Sequence, residues 1–204
     1  MLIRKLARSR RTPERPSIVI VSGLPRSGTS LMMKMLEAGG LETLTDGLRE
    51  ADADNPRGYY ELEQAKKLSA GDATWLDAAH GKVVKVIATL LYHLPDTHSY
   101  RVIFMRRRMA EILASQRQML VNRGEDPDAV THADMARIFD GHLKRLEPWL
   151  AQRDDIEVLD VDYNQLMADH AAEIVDGIDA FLGGGLDVAA IRTVVEPDLY
   201  RQRR

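Results

Sequence analysis

The chain has 204 residues, of which 45% are hydrophobic and 29% charged, and its formal net charge is −3. This length and apolar content suit one globular domain with a substantial core. The small negative charge excludes the overall basic field of a nucleic-acid-binding protein. The absence of cysteine excludes disulfides, thiolate metal sites and a cysteine nucleophile, and it suits the reducing cytoplasm, where we expect the protein.

The N-terminal segment is rich in arginine and lysine. We interpret residues 1–15 as a flexible basic tail and residues 16–204 as a single domain. The apolar run that follows the tail is too short for a signal peptide and far below the roughly 20 residues of a membrane helix. We therefore expect no membrane span.

The segment of residues 17–37 combines an apolar run, a loop bracketed by glycines and a helical pattern. The β-branched residues 17–21 predict a strand that is buried on both faces of a parallel sheet. The loop over residues 23–30 reads GLPRSGTS, and apolar residues then recur at helical spacing. A strand, loop and helix of this kind direct backbone N–H groups and the positive end of the helix at one point. The segment therefore predicts a site for phosphate or sulfate.

The loop resembles a nucleoside-triphosphate P-loop in its frame but not in its cation. Thr29 and Ser30 stand where the G-x-x-x-x-G motif continues with Lys and then Ser or Thr. The lysine of that motif is the residue that reaches the β- and γ-phosphates. In this chain the cation lies inside the loop, as Arg26.

The rest of the chain alternates predicted strands with predicted helices. Strands are predicted over residues 82–87, 100–105 and 156–161. Helices are predicted over residues 59–70, 129–151, 171–182 and 188–195, with one more after residue 105. This alternation predicts an α/β fold of the P-loop NTPase kind, with three α/β/α layers around a central parallel sheet.

A second cationic site follows the strand of residues 100–105, where Arg106, Arg107 and Arg108 open a helix. A cation at a helix N-terminus costs about 0.3–1 kcal/mol, and a bound anion would remove that cost. Ligands of parallel sheets bind beyond the carboxyl ends of the strands. The loop and these arginines should both lie there, so we predict that they share one ligand.

Two motifs of the chain resemble motifs of the sulfotransferases that use 3′-phosphoadenosine 5′-phosphosulfate (PAPS). Residues 25–31, PRSGTSL, resemble the family's loop for the 5′-phosphosulfate. Arg107 and Ser115 match its second motif, an arginine at a strand end followed eight residues later by a serine, which holds the 3′-phosphate. The likeness covers roughly residues 17–120. It implies PAPS as co-substrate, adenosine 3′,5′-bisphosphate (PAP) as product and no metal ion.

The resemblance also implies roles for particular residues. The co-substrate would be held by Pro25, Arg26, Ser27, Gly28, Thr29, Ser30, Arg107 and Ser115, with the N–H groups of residues 27–30 around phosphate and sulfate. Arg26 would in addition stabilise the departing oxygen. Lys85 resembles the lysine that contacts the bridging oxygen in cytosolic sulfotransferases. Ile87, however, stands where those enzymes carry a histidine base.

A hydroxyl acceptor needs a general base. Because other branches of the family use a carboxylate, Glu61 is the first choice, and Glu50, Asp52 and His93 remain alternatives. The acceptor is expected to be a small or medium-sized molecule with a hydroxyl or amine. The chain looks short for the family, so its pocket is either open or completed by the helix of residues 129–151 or by a second subunit of a homodimer.

Two other functions remain open. In a P-loop kinase or NTPase, Asp160 would be the carboxylate that holds Mg²⁺. In a non-catalytic nucleotide-binding domain the loops would persist without the base, and Ile87 and Arg108 favour this interpretation. The basic residues 199–204 either reach the 3′-phosphate or form a disordered tail. Five histidines lack the spacing of metal ligands and are interpreted as surface or packing residues: His80, His98, His132, His142 and His170.

Overall fold

The computed structural model describes the backbone of residues 3–7 and describes residues 16–48 and 58–195 in full. Its strands are β1 (Ile3–Ala7), β2 (Ile18–Gly23), β3 (Val83–Lys85), β4 (Tyr100–Arg106) and β5 (Ile156–Asp162). Its helices are α1 (Thr29–Ala38), α2 (Glu63–Lys66), α3 (Met109–Asn122), α4 (His132–Ala151), α5 (Tyr163–Leu166), α6 (Ala171–Leu182) and α7 (Val188–Val194). Short 3₁₀ helices span Lys67–Ala70, Thr74–Ala79 and Ala88–His93.

The strands form one sheet in the order β1-β5-β4-β2-β3. The four strands from β5 to β3 are parallel, and Gly23 at the end of β2 lies opposite Met105 of β4. Because side chains alternate across a strand, the central strands bury one set on each face. One face packs against α4 and the 3₁₀ helices, and the other packs against α1, α6 and α7. The predicted three-layer α/β/α fold with a parallel sheet is therefore confirmed.

Strand β1 corrects the interpretation of residues 1–15 as a flexible tail. Ile3–Ala7 pairs antiparallel with β5, with Ile3 opposite Val161. The backbone groups on the outer side of β5 would otherwise form an open sheet edge, and a short charged strand is a common way to cover such an edge. Residues 1–2 and 8–15 lie outside the described part of the chain, and the limits of the single domain stay a prediction.

Several element boundaries also differ from the predicted ones. The helix predicted over residues 59–70 begins only at Glu63, and the strand predicted over residues 82–87 ends at Lys85 because the chain turns into the 3₁₀ helix Ala88–His93. Helix α4 begins at His132, where the hydroxyl of Thr131 caps it by accepting from the N–H of Asp134 at 3.1 Å. Among the described helices, none combines the length and apolar character that a membrane crossing requires.

Candidate functional site

The loop between β2 and α1 is held in a strained conformation. Gly28 precedes α1 with a φ of 100°, and a Cβ at this position would lie 2.4 Å from Cδ2 of Tyr163. Arg26 also has a positive φ, 67°, which is uncommon for a residue with a side chain. Strain of this kind persists only where the surrounding structure enforces it, and it is concentrated at functional sites.

Ser27 forms the inside of this loop. It is fully buried, and both its N–H and its hydroxyl donate to the carbonyl of Leu24, at 3.2 and 2.7 Å. The N–H of Ser27, which the resemblance assigns to the anion, closes the turn of the loop in this structure. The N–H groups that start the helix are those of Gly28, Thr29 and Ser30. Pro25 is exposed at the tip of the loop.

The start of α1 favours negative charge. Its first helical hydrogen bond runs from the N–H of Met32 to the carbonyl of Gly28, at 3.1 Å. Gly28 has no side chain that could cap the first N–H groups of the helix, and the first turn contains no acidic residue. The positive end of the helix dipole is therefore not countered by a carboxylate of the first turn. The arrangement suits an anionic ligand.

The two sequence motifs meet at the carboxyl edge of the sheet. The Nε of Arg26 donates to the hydroxyl of Ser115 at 2.9 Å, and Nη1 of Arg107 donates to the carbonyl of Arg26 at 3.0 Å. This contact follows from the topology, because β2 and β4 are neighbours and the loop and α3 both start where these strands end. The motifs therefore form one cluster on one face of the molecule.

The guanidinium of Arg107 is held from several sides. Its Nε donates to Oε2 of Glu111 at 3.0 Å, and its charged carbon lies 4.5 Å from the ring centre of Tyr163. Glu111 is fully buried, and its Oε1 accepts from Nδ2 of Asn164 at 2.7 Å. Oδ1 of Asn164 in turn accepts from the N–H of Arg108 at 3.1 Å. These contacts fix both the position and the orientation of the guanidinium.

Of the other two arginines of the triplet, Arg106 lies outside this cluster, and Arg108 contacts its edge, where Nη1 lies 3.7 Å from Oε1 of Glu111. Arg106 binds Asp160 and Glu147, both at 2.8 Å, and lies over the ring of Phe104 at 4.4 Å. Arg106 still belongs to β4, so its side chain points to the same face as Phe104, two residues earlier. It links β4, β5 and α4. The side chain of Arg108 is 61% exposed. Arg106 is therefore engaged in ion pairs that join elements of the fold.

Lys85 and Glu61 form a second group at the same edge. Lys85 ends β3, where its Nζ donates to the carbonyl of Tyr59 and lies 3.8 Å from Oε1 of Glu61. The hydroxyl of Ser30 lies 3.5 Å from the same carbonyl, which connects this group to the loop. The hydroxyl of Thr45 donates to the backbone carbonyl of Glu61 at 2.8 Å and fixes that residue beside Lys85.

The remaining predicted residues are less tied to the site. Thr29 is the first residue of α1 and is half-buried, and Ile87 is 47% exposed two residues after Lys85. His93 is exposed at the end of a 3₁₀ helix. Glu50, Asp52 and residues 199–204 lie outside the described part of the chain.

The sequence interpretation missed Glu111, Asn164 and Tyr163. Glu111 carries a readable signal, because it follows Arg107 by four residues and precedes Ser115 by four, a spacing that places residues on one side of a helix. Asn164 and Tyr163 come from α5, after β5. Only the folded sheet brings them to Arg107.

Comparison with known proteins identifies the fold. No protein-family model and no curated protein matches the sequence. The structure is similar to that of the sulfotransferase STF1 from Mycobacterium tuberculosis, with a TM-score of 0.56 and 19% identity over 90% of this chain and 71% of that one. The chain therefore has the fold of the sulfotransferases.

Two other solved structures have lower scores. One is the sulfotransferase domain from the curacin biosynthetic pathway, with a TM-score of 0.49 and 13% identity over 89% of this chain and 78% of that one. The other is a mouse sulfotransferase complexed with PAP, with a TM-score of 0.47 and 14% identity over 92% of this chain and 64% of that one.

The packing of Gly28 against Tyr163 yields a first prediction. Replacing Gly28 by alanine should lower the free energy of unfolding by roughly 3 kcal/mol, because backbone strain adds to the clash with the ring. Gly40→Ala is the matched control, since Gly40 has a similar φ of 94° and nothing lies within 4 Å of an added Cβ. It should cost only the strain, about 1 kcal/mol. Equal losses in urea unfolding would show that the contact with Tyr163 does not constrain the loop.

A second prediction concerns Glu111. Glu111→Ala leaves the guanidinium of Arg107 without its buried carboxylate and should cost about 3 kcal/mol or more. The control is Glu63→Ala, because Glu63 pairs with Lys66 at the surface with both side chains more than half exposed. Such a pair contributes about 0.5 kcal/mol or less. Chemical denaturation measures both variants, and similar small losses would contradict the role given to Glu111.

Proposed function

We propose that this protein is a sulfotransferase that moves a sulfuryl group from PAPS to a hydroxyl or amine of a small or medium-sized acceptor. The observation that carries the proposal is the contact between the two anion-binding motifs, in which Arg26 binds Ser115 and Arg107 binds the carbonyl of Arg26. PAPS carries anionic groups at both the 3′ and the 5′ position of one ribose. A single nucleotide can therefore engage both motifs at once.

In this proposal, the ligand replaces contacts that the side chains now make with each other. Arg26 donates to a neutral hydroxyl, and a phosphate oxygen is a charged acceptor whose hydrogen bonds are about twice as strong. Arg26 and the N–H groups of residues 28–30 would hold the 5′-phosphosulfate. The hydroxyl of Ser115, released from Arg26, and the guanidinium of Arg107 would hold the 3′-phosphate.

The transfer step needs positive charge at the leaving group and a base at the acceptor. The acceptor oxygen or nitrogen forms a bond to sulfur, and the bond from sulfur to the bridging oxygen breaks. The electron pair stays on that oxygen as part of the 5′-phosphate of PAP, where Arg26 and Lys85 stabilise it. The proton of the acceptor passes to Glu61. Since the cations of the chain carry out this stabilisation, the proposed reaction does not require a metal ion.

The ion pair of Asp160 with Arg106 argues against the kinase alternative. The carboxylate of Asp160 accepts from Arg106 at 2.8 Å, and β5 is separated from β2 by β4. A carboxylate engaged in this way is a poor candidate for the Mg²⁺ ligand of the loop. One observation still favours the non-catalytic alternative: the exposed Ile87 stands where cytosolic sulfotransferases carry a histidine base. A cytoplasmic location and a homodimer stay predictions.

Nucleotide binding provides the third prediction. PAP should bind equally well with and without a chelator, and Arg107→Ala should weaken binding by about 10–100-fold, because a charge-assisted contact contributes about 1.5–3 kcal/mol. Arg117→Ala is the matched control, because Arg117 lies on α3, the helix that follows Arg107, and pairs with the exposed Asp128. It should change the dissociation constant by less than about twofold.

Calorimetry measures these affinities, and circular dichroism verifies the fold of each variant. Should Arg107→Ala unfold, Arg107→Lys keeps the charge but loses the planar fork, and it should still weaken PAP binding. Tight binding of Mg-ATP with no binding of PAP would overturn the proposal in favour of a kinase.

Sulfuryl transfer itself provides the fourth prediction. With ³⁵S-labelled PAPS and a panel of phenols, alcohols and amines, Glu61→Gln should lower kcat by about 10²–10⁴-fold and Lys85→Ala by about 10²–10³-fold. Glu61→Gln should bind PAP as the parent does, because its carboxylate acts on the acceptor, whereas Lys85→Ala should also bind PAP more weakly, because Lys85 contacts the 5′-phosphate oxygen that PAP retains. The control is Glu63→Gln, an exposed carboxylate two residues further along. If the parent protein binds PAP but transfers sulfate to no acceptor of the panel, the result would instead support the non-catalytic alternative.

A further inference from the structure

A cluster outside the proposed transfer site brings together Asp77, His80 and His98. Each contributes one potential ligand atom, and these atoms lie within 4.8 Å of one another. The histidines precede β3 and β4, so the cluster lies at the amino edge of the sheet, whereas the loop and Arg107 lie at the carboxyl edge. Strand β2 alone separates the two edges by about 20 Å, at 3.3 Å for each of its residues.

The two imidazole rings are oriented by hydrogen bonds. Nδ1 of His80 lies 2.8 Å from the carbonyl oxygen of Pro16, and Nε2 of His80 lies 3.1 Å from Nδ1 of His98. A carbonyl can only accept, so Nδ1 of His80 carries the proton and Nε2 presents its lone pair to the cluster. A backbone carbonyl that orients one nitrogen in this way is the usual support for a histidine that binds a metal through the other.

The spacing of the nitrogens also fits a metal ion. Two imidazole nitrogens that bind one tetrahedral Zn²⁺ at 2.0–2.1 Å lie roughly 3.3 Å apart. The observed 3.1 Å requires only a small displacement. His98 would bind through Nδ1 in the tautomer that carries its proton on Nε2, so the ion takes the place of the proton now shared by the rings. The carboxylate of Asp77, three residues before His80, supplies a third ligand from an exposed position.

We propose that Asp77, His80 and His98 bind one divalent transition-metal ion of the Zn²⁺ class. Two imidazoles and one carboxylate favour Zn²⁺, Co²⁺, Ni²⁺ or Cu²⁺ over Mg²⁺ and Ca²⁺, which prefer oxygen ligands. The ion would join the segments that lead into β3 and β4, and through the carbonyl of Pro16 the segment that leads into β2. Its role is structural, and it is independent of the proposed transfer reaction.

The test uses the full chain without an oligohistidine tag, first treated with a chelator. Calorimetric titration with ZnCl₂ should give one ion per chain, and MgCl₂ should give no heat of binding. CoCl₂ should produce the visible absorption of a four- or five-coordinate ion with nitrogen ligands. A 100-fold excess of Zn²⁺ over its dissociation constant should raise the Tm by about 5 °C or more, since the ion binds the folded state.

Substitutions of single residues test which side chains bind the ion. His98→Ala should weaken Zn²⁺ binding by at least about 30-fold and Asp77→Asn by about 10-fold, whereas His132→Ala, which removes an exposed histidine on α4, should have no effect. Asp77 is exposed, so Asp77→Asn decides the question even if His98→Ala fails to fold. No uptake of Zn²⁺ would leave a hydrogen-bonded imidazole pair only, and uptake that Asp77→Asn leaves unchanged would likewise overturn the three-ligand site. PAP binding by each variant should match the parent, which separates this result from the test of the proposed function.

Discussion

The ion pair between Arg107 and Glu111 is the interaction on which the candidate site depends. Glu111 is fully buried, and its two oxygens accept from Arg107 and from Asn164. A buried ion pair is weak evidence for stability, because desolvation offsets much of the attraction. Its effect here is geometric. It holds one guanidinium at the junction of β4 and α3, against the ring of Tyr163 and within reach of the loop after β2.

The same guanidinium helps to hold the strained part of the loop. The peptide between Arg26 and Ser27 is fixed from both ends, since its carbonyl accepts from Arg107 and its N–H donates to the carbonyl of Leu24. A residue with a side chain keeps a positive φ only when its neighbours enforce that conformation. Arg107 therefore acts on the loop as well as on any ligand, and the two anion-binding motifs are mechanically as well as spatially connected.

The sequence predicted the parts of this structure that local pattern determines. Short, mainly apolar runs predicted β2, β4 and β5, and the resemblance to a sulfotransferase motif singled out Arg107 and Ser115. Strand β1 was missed because five residues with two charges give no strand signal until β5 offers its edge. Asn164, Tyr163 and the contact of His80 with His98 depend on the closure of the sheet. No spacing of residues in the sequence indicates these contacts.

Glu111 and Glu61 both lie near the loop, and their surroundings assign them different roles. Glu111 has no exposed surface, and each of its oxygens already accepts from a side-chain donor, so it cannot reach a proton on an acceptor molecule. The side chain of Glu61 is 24% exposed and sits beside Lys85 at the mouth of the same edge. A general base must touch both its substrate and solvent-accessible space. Within the described residues, the position of Glu61 meets this requirement and that of Glu111 does not. The buried carboxylate therefore orients Arg107, and the accessible one is the candidate for proton transfer.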